Sequence, residues 1–201
     1  MASMTDVQNS QSEKEALFEL ILESSRKGGP DMFNEYRRNT AYAPLDLSGL
    51  DLTGKDLAGF NFSNTNLSAC ALDFAYLAEA KLVMCQMMRC TAREADFHLA
   101  QMDEVEMAHS DLYKANFSGA ALCEAILTGV TAKEANFAEV DLTDAAANKA
   151  TFVDADFSGA VLNNTDFSQS DLSWANLDGA QSNEKTKWGV NTEAEQAEKD
   201  A

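Results

Sequence analysis

Ala115-Asn116-Phe117-Ser118-Gly119, Ala155-Asp156-Phe157-Ser158-Gly159 and Ala175-Asn176-Leu177-Asp178-Gly179 are three copies of one five-residue unit. The unit runs without a break from Leu45 to Ala180. Counted in fives from Leu47, the central residue of 27 consecutive units is Leu 14 times, Phe 7 times and Met 3 times, with Ala92, Ala132 and Ala147 filling the rest. Two residues before the centre the side chain is small, and in 13 units it is Ala. The residue just before the centre is Asp or Asn 14 times. A period of five fits neither the ~3.6 of a helix nor the ~2 of a strand. It specifies one small and one large inward side chain per unit and leaves three positions for water. Units of that kind bury their apolar residues only by stacking on one another.

The pattern A(D/N)LXX resembles the pentapeptide-repeat family over about two thirds of the chain. The resemblance implies an all-β solenoid, a right-handed four-sided β-helix with four units per coil. Twenty-seven units then make about seven coils and a rod roughly 33 Å long at strand spacing. Sorted on that 20-residue coil, Phe97, Phe117, Phe137 and Phe157 fall on one side and are expected to stack as an inward ladder. Seven of the chain's ten Gly end a unit, where a tight turn asks for positive φ.

The flanks are different in kind. Residues 1–11 are polar and read as disordered. Ser12 and Glu15 form a capping-box signature, and Leu17, Phe18, Leu20 and Ile21 give the run 13–27 an apolar stripe. Gly28-Gly29-Pro30 ends that helix, and a second short helix over 31–38 carries Met32, Phe33 and Tyr36. Residues 12–44 are therefore expected to form a helical N-terminal cap over the open end of the solenoid. Residues 45–181 form the β-helix, and 182–201 read as an acidic, flexible tail in which Trp188 alone is bulky and apolar. The first residues lack the charged and apolar regions of a secretory signal. No apolar run reaches the ~20 residues of a membrane span. The expectation is a cytoplasmic protein, with signal-independent secretion left open.

Sites for chemistry are scarce. Cys70, Cys85 and Cys90 occupy the small inward position and Cys123 points out; no pair has the CxxC spacing of a zinc site. Cys70 and Cys90 lie one coil apart, within disulfide reach, although two reduced core thiols are the favoured reading. His98 and His109 fall on opposite sides of the coil, and Cys123 has no His in phase. There is no phosphate-loop, dinucleotide or zinc-protease motif. No catalytic residue, metal or cofactor is expected.

Charge and exposed apolar residues carry the functional expectation. The formal net charge is −18, which disfavours direct nucleic-acid binding. By side, starting with the one that holds Leu47, acidic residues outnumber basic ones by three to two, seven to three, six to one and five to one. The candidate acidic surface comprises Asp96, Asp103, Glu104, Glu139, Asp141, Asp144, Asp154, Asp156 and Asp171. It reads as a surface for a protein partner with a basic face. Some pentapeptide-repeat proteins mimic DNA and bind type II topoisomerases such as DNA gyrase, protecting them from quinolones, and the resemblance implies that alternative. A duplex of this length carries roughly 19 charges, the same order as the solenoid's net −14. Phe74, Tyr76, Val83, Met84, Met88 and Leu99 form a candidate apolar contact patch, expected to receive the N-terminal helices folding back along the rod, or else a separate protein. Trp174 and Leu177 are candidates for a homodimer contact at the last coil, as the resemblance to dimeric members allows. The leading expectation is a non-enzymatic protein-binding rod. A DNA mimic is the alternative, and a secreted effector or secretion-system accessory a further one.

Overall fold

The structure is a computed structural model that describes residues 4–189. Helices α1 (Met4–Arg26) and α2 (Asp31–Asn39) precede a coil that repeats every 20 residues. Parallel bridges join Asp51 to Ala71, Asp56 to Tyr76, Asn61 to Lys81 and Asn66 to Gln86, and each series continues up the rod. The coil therefore has four sides. Their inward centres run from Leu47 on the first, Leu52 on the second, Leu57 on the third and Phe62 on the fourth.

Each side is too short for ordinary strands. Leu45–Asp46 (β1) pairs with Thr65–Asn66 (β2), and the other contacts are single bridges. At each centre from Leu47 to Phe167 the N–H donates to the coil above, as Phe97 does to the Asn116 carbonyl at 2.7 Å, while Asp96 donates to the Ala75 carbonyl below at 2.9 Å. The chain then bends sharply: Ala100 donates back to the Phe97 carbonyl. The residue two after every centre takes a left-handed conformation, with φ between +54° and +71°. Seven of these corners are Gly; the other 20 are not. None is β-branched, because a branched Cβ is the least tolerant of that region.

The Asp and Asn before the centres have a local task. In all 14 cases the side-chain oxygen accepts the N–H of the residue after the centre, as Asp141 does from Thr143 and Asn176 from Asp178. This side chain satisfies a donor that the ladder between coils leaves unpaired.

Inside, Phe97, Phe117, Phe137 and Phe157 stack with centroids 4.8, 4.9 and 5.0 Å apart. Phe152 and Phe167 meet them edge-on. Polar residues at the small inward position donate to the centre carbonyl 23 residues earlier: Cys70 to Leu47, Cys85 to Phe62, Cys90 to Leu67, Ser110 to Met87, Thr165 to Leu142 and Ser170 to Ala147. Thr65 is the exception. Twenty-three residues before it stands Tyr42, ahead of the first repeat centre, so no centre carbonyl is there to accept, and the Thr65 hydroxyl lacks a partner. The four cysteines are free thiols, so Cys70 and Cys90 form no disulfide. Burial pushes their thiols up, Cys70 to about 11 and Cys85 and Cys90 to about 12.

Both ends differ from the sequence expectation. Helix α1 begins at Met4 instead of Ser12, so residues 4–11 are helical; residues 1–3 lie outside the described residues. Phe33 of α2 packs against Phe60 and Phe62 of the first coil. Asn34 takes the place of a missing coil: its amide oxygen accepts from Asn61 N–H at 2.7 Å and its amide nitrogen donates to the Gly59 carbonyl at 2.9 Å. Arg37 is fully buried and donates to the carbonyls of Ala43 and Ser63. At the other end the coil continues past 181. Lys187 bridges Asp166, and Gly189 lies so close to the chain below that a Cβ there would come within 2.2 Å of the Ser170 carbonyl oxygen. The tail expected from 182 thus begins no earlier than 190, and 190–201 lie outside the described residues.

Candidate protein-interaction surface

The outward positions, one before, one after and two after each centre, decide what a partner meets. The third and fourth sides are adjacent and share a corner. Together they present eleven carboxylates against Lys55 and Lys81. Asp96 and Asp156 stand on the third side, Asp103 and Asp141 on the fourth, and Glu139, Glu104 and Asp144 at the corners that bound the fourth. These seven candidates form one acidic half of the rod. Asp154 and Asp171 do not join it; they belong to the second side, where Asp154 lies 3.9 Å from Lys133.

The second side carries seven carboxylates and three bases, and all three bases are paired with carboxylates of the same side. Arg93 pairs with Asp111 at 2.6 Å, Lys114 with Glu134 at 3.3 Å, and Lys133 with Glu134 and Asp154. The two acidic sides have no comparable base. Exposed pairs contribute little to stability, but they lower the field a partner senses.

Within the acidic half the carboxylates are of two kinds. Asp96, Asp141 and Asp156 each cap a backbone N–H and are held in place. Partial burial pulls Asp141 upward, yet the Thr143 hydroxyl and N–H and the Cys123 thiol outweigh it and hold the carboxyl below its usual value. Glu104, Glu139 and Asp144 stand exposed at left-handed corners. Cys123 lies between Asp103 and Asp141, and burial together with those two carboxylates pushes its thiol up to about 12. It is a poor nucleophile at neutral pH.

The apolar candidates are not one patch. Tyr76 bridges Asp56 and Asp96 on the third side, with Phe74 at the corner before it. Met84 and Met88 flank Gln86 on the first side, which faces the opposite way. Val83 is half-buried on the fourth side, and Leu99 folds along its corner over Gly119, where a Cβ would meet its Cδ2 at 2.8 Å. A listing by sequence order hides the turn that separates them. The N-terminal helices do not cover these residues either. They lie against the first coil, where Lys14 reaches Ser48 and Asp46, and Phe74, Met84 and Leu99 stay about half exposed. Exposed Ile126, on the first side, escaped the sequence reading although its register, directly before a centre, marks it as outward.

Trp174 is 82% exposed at a corner with φ +62°, and Leu177 is half-buried on the neighbouring side. His98 sits on the third side with Nδ1 2.9 Å from the Ser118 hydroxyl, and His109 lies over Gly129 at the corner leaving the first side. No His, Cys, Asp and Glu group among the described residues has the geometry to hold a metal. A cleft of about 510 Å³ between α1 and the first coil is lined by Leu17, Phe18 and Leu50 together with Lys14, whose ammonium is held by Ser48 and Asp46. No described helix is long and apolar enough to cross a membrane.

A profile of pentapeptide repeats matches the chain in eight copies that together span residues 46–181. No curated protein sequence matches. Among solved structures, a pentapeptide repeat protein from Nostoc Pcc 7120 shares 26% identity over 48% of this chain and 80% of its own, with a TM-score of 0.38. QnrB1, a plasmid-mediated fluoroquinolone resistance protein, shares 18% identity over 70% of this chain and 84% of its own, with a TM-score of 0.35. A pentapeptide repeat protein from the Arabidopsis thaliana thylakoid lumen shares 23% identity over 61% of this chain and 68% of its own, with a TM-score of 0.24.

Proposed function

The chain belongs to the pentapeptide-repeat family, and from that premise we propose that it is a non-catalytic rod whose acidic half binds a protein partner with a basic surface. The observation that carries this reading is the asymmetry of charge: two adjacent sides with eleven carboxylates and two lysines, beside a side whose bases are already paired. A stacked core fixes those carboxylates at a regular pitch, so the partner meets a preformed surface and less ordering entropy opposes binding. The proposal includes a cytoplasmic location, which four free thiols suit.

Glu79 and Glu139 stand at the corner between the two acidic sides and cap no backbone group, so their reversal leaves the coil intact. The test immobilises the full chain and a Glu79→Lys, Glu139→Lys variant, and compares the proteins each retains over a salt series. The reading expects proteins held by the wild type, eluted by moderate salt and lost from the variant. Equal retention by both would remove it.

A second reading has one observation in its favour. Carboxylates stacked one coil apart along a straight rod repeat at about 4.8 Å, a linear density of the same order as duplex phosphates. On that reading the acidic half mimics DNA for a type II topoisomerase. Supercoiling by purified gyrase, with this protein and a fluoroquinolone over a salt series, decides it. Protection or inhibition that fades with salt favours mimicry, and no effect at tens of micromolar rules gyrase out.

A further inference from the structure

Opposite charges run down the two edges of the first side. The edge shared with the fourth side carries Glu104, Glu124 and Asp144, one coil apart; the edge shared with the second carries Arg89, His109 and Lys149. None of these six is in an ion pair, in contrast to Arg93, Lys114 and Lys133 on the second side. Between the edges the surface is short-chained and nearly uncharged, with Ala108, Thr128, Ala146 and Asn148 around an exposed Ile126. Met88 lies at one end and Met84 on the acidic edge, 37% and 54% exposed.

We propose that this face binds a second copy of the chain, the two rods side by side and parallel, related by a two-fold axis along the rod. Symmetry and charge select this arrangement. Rotation about an axis parallel to the rod exchanges left and right edges but keeps height. The acidic edge of each copy then lies on the basic edge of the other. Asp144 comes opposite Lys149 of the second copy, and Glu104 opposite its Arg89 and His109, all within about one coil of 4.8 Å. A two-fold axis across the rod would set acid on acid, which costs binding energy. The midline agrees as well. Ile126 of one copy meets Thr128 of the other, Met88 meets Gln86, and Glu106 meets Ala108 beside His109. No like charges are brought together. The face extends over about five coils, roughly 24 Å, one side wide, so it sits at the low end of specific interfaces and the dimer is weak. It shares the corner carboxylates Glu104, Glu124 and Asp144 with the acidic half but uses neither the third side nor the last coil, and Glu79 and Glu139, whose reversal tests the binding proposed above, lie off this face.

Sedimentation of the full chain from about 10 to about 500 µM tests the proposal at the affinity such a small interface allows. A concentration-dependent monomer–dimer equilibrium is expected, weakened at least about tenfold by Met88→Asp and by Lys149→Asp. The exchange Asp144→Lys with Lys149→Asp in one chain is expected to restore it, since each edge again meets its opposite. Trp174→Ala is expected to leave it unchanged. A monomer throughout the range overturns the proposal. So does a dimer that Trp174→Ala abolishes and Lys149→Asp does not, or a double exchange that fails to restore association. Outward positions are substituted in every variant, and unchanged circular dichroism shows that each still folds.

Discussion

Trp188 stacks on Phe167 with ring centroids 5.8 Å apart and planes 6° from parallel, although the chain takes 21 residues instead of 20 to bring it there. The extra residue is absorbed in a turn at Asn183, whose carbonyl accepts from Thr186 N–H and whose side chain accepts from Lys185 N–H. Thr186 then donates to the Leu162 carbonyl as Thr165 does to Leu142. The unit resumes in phase after the insertion, and an indole closes the end of the first side.

If Trp188 closes that end, Trp188→Ala should lower unfolding free energy by about 1–3 kcal/mol, less than a fully buried aromatic because the ring is only half-buried. Urea unfolding measures it. In a Trp174→Phe background the single remaining indole should emit as a partly buried group and shift red in the same transition. An unchanged midpoint would show that the end of the rod does not depend on Trp188.

Phe117 lies between Phe97 and Phe137, with both neighbouring rings within 5° of parallel. Its removal leaves a cavity that neighbours on the fixed coil pitch cannot close. Phe117→Ala should therefore cost about 3–5 kcal/mol, and chemical denaturation reads it directly. A loss below about 1 kcal/mol would mean the coils relax around the gap, contrary to a rigid stack.

How much of this was legible in the sequence follows from what sets each feature. The five-residue period fixes which side chains point inward, so the Phe97–Phe157 stack and the buried thiols could be placed by counting. The Asp and Asn before the centres were visible as a motif, but their capping of the next N–H but one needed the backbone. Corners were legible at Gly and also, unnoticed, in the complete absence of Val, Ile and Thr from the same position. Contiguity was the weak point. Phe74 and Met84 are neighbours in sequence order and face opposite ways, while the third and fourth sides merge their carboxylates across a shared corner. Bases such as Lys133, with Glu134 and Asp154, offset part of the charge on the side that holds the most carboxylates. The Thr186–Gly189 segment was hidden because one inserted residue breaks the period on which the reading relied.

The left-handed corners make a separate prediction at Glu94, which has φ +54°, is exposed and makes no ion pair. Glu94→Val places a branched Cβ where φ is positive, and Glu94→Gly removes the Cβ altogether. Val should be less stable than Gly by about 1–2 kcal/mol, even though Gly loses more entropy on folding. Equal melting temperatures for the two variants would argue that this corner relaxes out of the left-handed region.

Acid should loosen the same end that Trp188 closes. Asp166 accepts from Ser168 N–H and from Lys187 Nζ, both at 2.9 Å. Partial burial pulls its carboxyl upward, but the Ser168 bonds and the Lys187 ammonium prevail and hold it near 2, well below the usual 3.8. A carboxyl that binds its proton less readily in the folded chain stabilises the fold above its unfolded value and loses that contribution as pH falls toward the folded one. The window is therefore from about pH 4 down to about 2. Lower pH also relieves repulsion among the remaining carboxylates, so the wild type alone is ambiguous. The difference between wild type and Asp166→Asn isolates the pair, because Asn keeps the Ser168 cap and loses the charge. That difference in melting temperature should be largest near pH 6 and shrink steadily as the pH is lowered through 4 to 2. A gap that stays constant across the range would mean the Asp166–Lys187 contact adds nothing to holding the final unit in register.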